Sequence, residues 1–391
     1  MIFDNIAIKN IKMITKFLVI GDPHFKTSNL PDVDDFINKT IDLVQKESPD
    51  FIIILGDVLH EHERLHTIPL NKAYDFVKAM ATATQTYILV GNHDMINNQQ
   101  FLNQNHWMNG MKEWHNTIIV DVPTCLKHNG NQFVFCPYVP NGRLQEALDT
   151  LDLTSGPDWK SADLLFAHQE FIGCKMGAII SQDGDGWDKS LPPVISGHIH
   201  ANQTLMDGHI YYPGSAMQNA FGDPNNILPI IEFDASTTQP YTTREIDLML
   251  RKKKIIYVEL DTIDTYDMDK IFNSPDQIKL SLLGSYDDFK VFIKTPIAKQ
   301  LLNAGIKIIH KNKKPHADPL ADPLADPLSE STDPDGDQHD GDHPDPTLSN
   351  SDDSLEKLIH SFVVKEANSY VSSDFNYLFL GYEKDQEILI L

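Results

Sequence analysis

The chain has 391 residues, of which 41% are hydrophobic and 23% charged, a composition that excludes a fibrous or wholly disordered protein. No stretch approaches the ~20 consecutive apolar residues of a membrane span. The formal charge of −24 is uneven, because residues 315–356 hold 13 acids and no Lys or Arg, so it does not exclude a nucleic-acid substrate for the remainder.

In chain order, the first 22 residues show no continuous apolar core and no small-residue cleavage site, which predicts an intracellular, cytoplasmic chain with no membrane attachment. Cys125, Cys136 and Cys174 form no C-x-x-C pair and suit a reducing compartment. Apolar runs at 17–20, 51–55, 87–90, 133–135, 163–167 and 193–196 predict buried strands. Residues 32–46 and 70–81 predict helices between the first of them. This β-α-β-α-β order predicts an α/β layered domain over 13–240. Residues 245–314 carry KKIIYVELD, IKLSLLG, DFKVFIKT and IKIIHK around a helix at 296–304, which predicts a smaller α+β unit. Residues 315–354 open with the repeat ADPLADPLADPL and continue rich in Asp, Pro and Gly. Their acids repel, and their apolar surface is too small to offset the ordering entropy, so a disordered acidic linker is expected. In 355–391, Leu355, Leu358, Ile359, Phe362 and Val363 fall on one face of a helix, and apolar NYLFLGY and EILIL follow.

Chemistry-bearing residues stand where the predicted strands end. FLVI runs into Gly21-Asp22-Pro23-His24, and FIIIL into Gly56-Asp57-Val58-Leu59-His60. YILV precedes Gly91-Asn92-His93-Asp94, DLLFA precedes His168, and PVIS precedes Gly197-His198-Ile199-His200. The carboxyl ends of strands in open α/β sheets converge on one crevice, so these residues can meet in space. Carboxylate, imidazole and amide oxygen without thiolate favour Mn, Fe, Zn or Mg. Asp22, His24, Asp57, Asn92, His168, His198 and His200 are too many for one tetrahedral ion and suit two ions sharing a carboxylate.

The blocks D-x-H, G-D-x-x-H, G-N-H-D, a lone His and G-H-x-H resemble those of the calcineurin-like metallophosphoesterases, over roughly residues 15–235. That resemblance implies a two-sheet β-sandwich flanked by helices, an α/β (α+β) fold with two divalent ions at one edge. It implies that Asp22, His24 and His200 hold one metal, that Asn92, His168 and His198 hold the other, and that Asp57 bridges them. His93 is then the group that protonates the leaving oxygen, with Asp94 orienting it. Manganese is the expected metal, with Mg, Fe and Zn as the others.

Within the family the chain is similar to the nuclease branch, which includes bacterial SbcD, the meiotic-recombination DNA-repair nuclease and phage recombination endonuclease subunits. Gly56-Asp57-Val58-Leu59-His60 carries the extra histidine of that branch, which puts His60 with His93 and Asp94 in the catalytic group. Tyr211-Tyr212-Pro213-Gly214-Ser215 followed by Phe221-Gly222-Asp223 points the same way, as does a small unit (245–314) in the place of a DNA-capping domain. The implied function is a metal-dependent DNA exo- or endonuclease subunit in recombination or repair. A small-substrate phosphodiesterase or phosphatase on the same site is the alternative, and a catalytically silent binding subunit is another. Arg251, Lys252, Lys253, Lys254, Lys307, Lys311, Lys313 and Lys314 are the candidate phosphate contacts to DNA. The resemblance further implies an SMC-like ATPase partner of the SbcC type on which the 355–363 helix would dock, the alternative being that 355–391 folds back on the cap. A homodimer is also compatible, and the repeat with the Lys and Asn usage suits a large DNA virus or phage. Residues 173–192, rich in Gly and Asp, fit no calcium-loop register and read as a mobile rim of the site. Glu61, His62, Glu63 and His66 read as a solvated loop.

Overall fold

The computed structural model describes residues 14–312, apart from 63, 152–157, 225–226 and 238–240, together with the strand 388–390. The described residues fall into two compact units, one running to Asn219 and resuming over Asp223–Lys252, the other comprising Ala220–Gly222 and the chain from Lys253 on.

The first unit opens with β1 (Thr15–Ile20), α1 (Leu30–Glu47), β2 (Phe51–Ile54), α2 (Thr67–Ala83), β3 (Gln85–Leu89) and β4 (Thr117–Val120). It continues through β5 (Thr124–His128), β6 (Asn131–Phe135), α3 (Leu144–Leu148), β7 (Leu164–His168), β8 (Lys175–Met176), β9 (Ile179–Ile180) and β10 (Val194–Gly197). It ends with β11 (Gln203–Leu205), β12 (Ile210–Tyr212), β13 (Leu228–Phe233) and β14 (Tyr241–Ile246). Two six-stranded sheets result, ordered β14-β13-β1-β2-β3-β4 and β11-β12-β10-β7-β6-β5.

The period of two along each strand explains the layering. Phe17 and Val19 face the core between the sheets with Phe51, Ile53, Phe133, Phe135 and Phe166. Leu18 and Ile20 face the other way, onto Val33 and Phe36 of α1 and Phe76, Val77 and Met80 of α2. On the second sheet, Val134, Leu165 and Val194 pack outward against Leu144, Leu148 and Trp159. Because β1, β2 and β3 are apolar on both faces they are covered on both, as parallel strands require. The architecture is the expected sandwich flanked by helices. Both helices run about a turn longer than predicted; in α1, Pro31 sits at the start and Ser48 closes the helix in a left-handed conformation (φ 46°).

The stretch 173–192 differs from the rim expected of it. Gly173 N–H donates to the Ser181 carbonyl and Ser181 N–H to that of Cys174, closing the β8–β9 hairpin. Asp185 is buried and accepts from Leu144 N–H and Gln169 Nε2, so its acid is structural.

The second unit contains β15 (Lys253–Glu259), α4 (Asp269–Phe272), β16 (Gln277–Gly284), α5 (Tyr286–Phe292), α6 (Pro296–Asn303), β17 (Lys307–Asn312) and β18 (Ile388–Ile390). β15, β16 and β17 are parallel and β18 is antiparallel on β17, with Ile308 opposite Ile390. The stretch DFKVFIKT, apolar enough to suit a strand, is helical. Ser285 caps α5 by accepting from Asp288 N–H, and Phe289 and Phe292 fill one helix face of the core. The acidic linker and the 355–363 helix of the sequence reading lie outside the described residues. No described helix is long and apolar enough to cross a membrane.

Candidate metal centre

The strand ends bring all seven predicted donors into one cluster. Asp22 and His24 follow β1, Asp57 follows β2, Asn92 follows β3, His168 ends β7, and His198 and His200 follow β10. His24 Nε2 and His200 Nε2 are 3.0 Å apart. Asn92 Oδ1 lies 3.0 Å from both His168 Nε2 and His198 Nδ1. Asp57 Oδ2 stands between the two groups, 3.7 Å from His24 Nε2 and 3.3 Å from His168 Nε2. Asp22 Oδ1 is 3.6 Å from His168 Nδ1.

Backbone detail shows why these sequences take this form. His24, Asp57 and His198 all have positive φ (48°, 49° and 78°), which side-chain-bearing residues adopt at a cost of order 1–3 kcal/mol each. Strain concentrated on three predicted donors is a mark of a functional site. The glycines in front of the donors are needed for close approach. A Cβ on Gly197 would sit 2.7 Å from Asp22 Oδ1 and 2.9 Å from His168 Nδ1, and one on Gly91 would collide with Asp57 Oδ1.

The electrostatics are those of buried acids and imidazoles packed against one another. Asp22 is fully buried, and among the described residues neither of its carboxylate oxygens has a hydrogen-bond partner. A buried carboxylate left this way is unfavourable unless a cation compensates it, and burial raises its pKa. Burial also acts to raise Asp57, but His168, His93 and His24 outweigh it and hold that carboxyl well below the usual range. Burial acts to lower His168, while Asp57 and Asp22 carry it up to about 9. Burial, with His168 nearby, pushes His198 down to about 3, so its imidazole stays neutral and able to ligate. The donor set and the orphaned Asp22 oxygens fit divalent cations, and these residues could hold them.

The catalytic candidates take different places. His93 is buried, and its Nδ1–H donates to the His60 carbonyl at 2.5 Å. His60 Nδ1 is 3.4 Å from His24 Nδ1, so one residue touches both a predicted donor and the predicted acid. Asp94, expected to orient His93, bonds to the backbone and to Trp107. Its carboxylate accepts from Asp57 N–H (2.8 Å), Gly91 N–H (3.0 Å) and Trp107 Nε1 (2.8 Å). Those donors are backbone and indole, so Asp94 fixes the loops that carry Asp57 and Asn92. Burial and Asp57 raise it to about 6.

Sequence reasoning missed His62. Glu61, Arg64 and His66 are exposed, as a solvated loop should be, but His62 is half-buried and stacks on His93 with ring centroids 4.2 Å apart. The one available signal was its place two residues after His60. Tyr138, whose ring is 5.6 Å from that of His198, was also missed.

The basic run is largely neutralised. Arg251 pairs with Asp32 at 2.9 Å, Lys252 with Asp247 at 3.7 Å and Lys254 with Asp276 at 2.5 Å. Lys253, Lys307 and Lys311 lie on β15 and β17, and Lys313 and Lys314 lie outside the described residues.

A two-sheet sandwich with Asp, Asn and His converging at the strand ends defines a metal-dependent phosphoesterase. The chain matches the Calcineurin-like phosphoesterase family model over residues 15–202. It is 45% identical over 285 residues to Putative phosphoesterase 244L of Invertebrate iridescent virus 6, a match covering 72% of this chain and 98% of that one. It is 41% identical over 298 residues to Putative phosphoesterase 078R of Invertebrate iridescent virus 3, covering 76% and 84%. Among solved structures, TT1561 of Thermus thermophilus aligns with 12% identity and a TM-score of 0.37, over 60% of this chain and 99% of that one. The chain belongs to the calcineurin-like phosphoesterase family and is a hydrolase of phosphoesters.

Proposed function

We propose that the chain hydrolyses phosphodiester bonds of DNA at a two-metal centre, as a nuclease subunit in recombination or repair. The observation that carries the two-metal reading is the Asp57 carboxylate, within 3.7 Å of His24 on one side and 3.3 Å of His168 on the other. Asp22, His24 and His200 would hold one ion and Asn92, His168 and His198 the other, with Asp57 placed to serve both and manganese the metal of choice. Two divalent ions there would supply an activated water and positive charge for the phosphoryl oxygens.

The chain's own groups do the rest. His93 Nδ1–H is committed to the His60 carbonyl, so Nε2 is the nitrogen that gives a proton to the leaving oxygen. Asp94 and Trp107 lock the loops behind the donors. The DNA reading is supported by His60, by the Y-P-G-S and F-G-D stretches, and by the separate unit that follows. It does not draw on the Arg251–Lys254 run, whose partners are acids of the same protein. An SMC-like ATPase remains the proposed partner. The pairing of Ile388–Ile390 on β17 supports the alternative, in which 355–391 folds back on the cap.

The test is hydrolysis of double- and single-stranded DNA against bis(p-nitrophenyl) phosphate by the purified chain with Mn²⁺. DNA cleavage abolished by chelation is expected. Turnover of the small ester alone would move the assignment to a small-substrate phosphodiesterase.

A further inference from the structure

We infer that His62 is a positioning residue for His93, its stacked ring fixing the plane in which the acid meets the leaving oxygen. The inference rests on the reading of His93 as the proton donor.

The geometry is a three-sided clamp. His62 lies on the His93 ring with centroids 4.2 Å apart and planes inclined by 22°. His60 stacks more loosely, at 5.5 Å and 12°, and its carbonyl takes the Nδ1–H of His93. The hydrogen bond to the His60 carbonyl fixes the Nδ1 end of the ring, and the stacked His62 ring defines the plane in which it lies. His62 is itself held, because its Nδ1 lies 3.3 Å from the Met95 carbonyl, two residues beyond His93 on the same loop. The loop after β2 thus grips the loop after β3 from both ends.

Position matters most at one moment of the reaction. As the oxygen of the attacking water bonds to phosphorus, the P–O bond to the leaving oxygen breaks and its electron pair goes to that oxygen, which takes the Nε2 proton of a His93 imidazolium and leaves a neutral imidazole. An alkoxide, as in DNA, needs that proton. A p-nitrophenolate leaves as a stable anion and does not. A loose His93 ring therefore penalises alkyl esters selectively, since misplacement of a catalytic group by about 1 Å can cost about 10²-fold.

The experiment compares turnover of thymidylyl-3′,5′-thymidine with that of bis(p-nitrophenyl) phosphate by the full chain with Mn²⁺. In His62→Ala the ratio of the two rates should fall by about tenfold or more, as it should in His93→Ala. His62→Phe, which keeps a flat ring on the same face, should restore the ratio to within about threefold of wild type. If His62→Ala does not fold, His62→Gln, which reaches Met95 without a ring, serves in its place. An unchanged ratio without the His62 ring, or no rescue by Phe, overturns the inference. An unchanged ratio in His93→Ala overturns the role of His93, and this inference with it. Hydrolysis of the dinucleotide without cleavage of polymeric DNA would reject only the nuclease assignment.

Discussion

The backbone N–H of His93 donates to Asp57 Oδ1 at 2.9 Å. In return, Asp57 N–H donates to Oδ2 of Asp94, the residue after His93, at 2.8 Å. The loop after β2 and the loop after β3 are laced together, so the proposed bridging carboxylate and the proposed acid share one register. The other Asp57 oxygen faces His24 and His168.

Asp57→Ala removes a carboxylate that lies within 3.7 Å of His24 on one side and 3.3 Å of His168 on the other. Turnover of any phosphoester should fall by more than about 100-fold, beyond the range for loss of an outer-shell partner. Bound metal, measured by elemental analysis, should fall with it. Activity within tenfold of wild type would sink the shared-carboxylate assignment.

His93→Gln removes the proton donor but no proposed ligand. Metal content should be unchanged, while DNA cleavage drops by roughly 10²–10⁴, the usual worth of general acid–base catalysis. Metal lost in proportion to activity would make His93 a ligand instead.

Gly91→Ala tests the packing behind the donors. The added methyl would collide with Asp57 Oδ1 and lie 2.5 Å from Asp57 N. Neither atom can withdraw without breaking the Asp57–His93 or Asp57–Asp94 bond. Overpacking of this kind costs about 1–3 kcal/mol. Urea unfolding should show that loss together with reduced metal binding, and a variant with wild-type metal content would reject the argument.

These positions were legible in the sequence because each donor follows an apolar strand directly. Asp22, Asp57, Asn92, His168, His198 and His200 inherit their place from the sheet order, and a strand end is a strong local signal. The stack of His62 on His93 and the bonds of Asp94 to Asp57 N–H and Trp107 were not legible, because they depend on how two loops cross. A histidine two residues beyond His60 can face solvent or a ring, and the local pattern is the same. Strands β4, β5, β8, β9 and β11 to β14 were also missed. β14 is a largely exposed edge strand whose sequence, YTTREI, offers no apolar run to read. The helix in DFKVFIKT depended on the Ser285 cap, a signal outweighed by its apolar content.

Away from the centre, Asp121 sets a pH-dependent contribution to stability. It is buried and accepts from Lys112 Nζ at 2.5 Å and lies 3.3 Å from His106 Nε2. Burial acts to raise its carboxyl, but the hydrogen bonds from His106 and Lys112 outweigh this and lower it below the ordinary 3.8. A depressed folded-state value stabilises above the unfolded value, and that stability is lost as pH falls through the folded value. Asp121→Asn should therefore cost about 2 kcal/mol at pH 7. The difference from wild type should shrink as pH falls below 3.8. A gap independent of pH, by urea unfolding, would show that the charge is irrelevant.

Removal of metal gives the sharpest signature, because one donor must lose a proton to bind it. Without a cation, His168 carries a proton at neutral pH. Burial opposes this, but Asp57 and Asp22 raise its pKa from 6.5 to about 9. That raised value stabilises the chelated protein fully below 6.5, and the stability is lost as pH rises through about 9. The metal-loaded protein has no such dependence from His168, since the cation takes the place of the proton. Two consequences follow. Mn²⁺ binding at pH 7 should release a proton, visible in calorimetry as a dependence of the apparent enthalpy on the buffer's ionisation enthalpy. The melting-temperature gap between Mn²⁺-loaded and chelated protein should widen between pH 6.5 and about 9. Ions at about 100 times their dissociation constant stabilise by about 2.7 kcal/mol, which for a unit of this size is on the order of 5–10 °C. His198, held at about 3, contributes no proton in that window. Identical melting of chelated and Mn²⁺-loaded protein across the window would show that Asp22 and His168 do not face a cation at all.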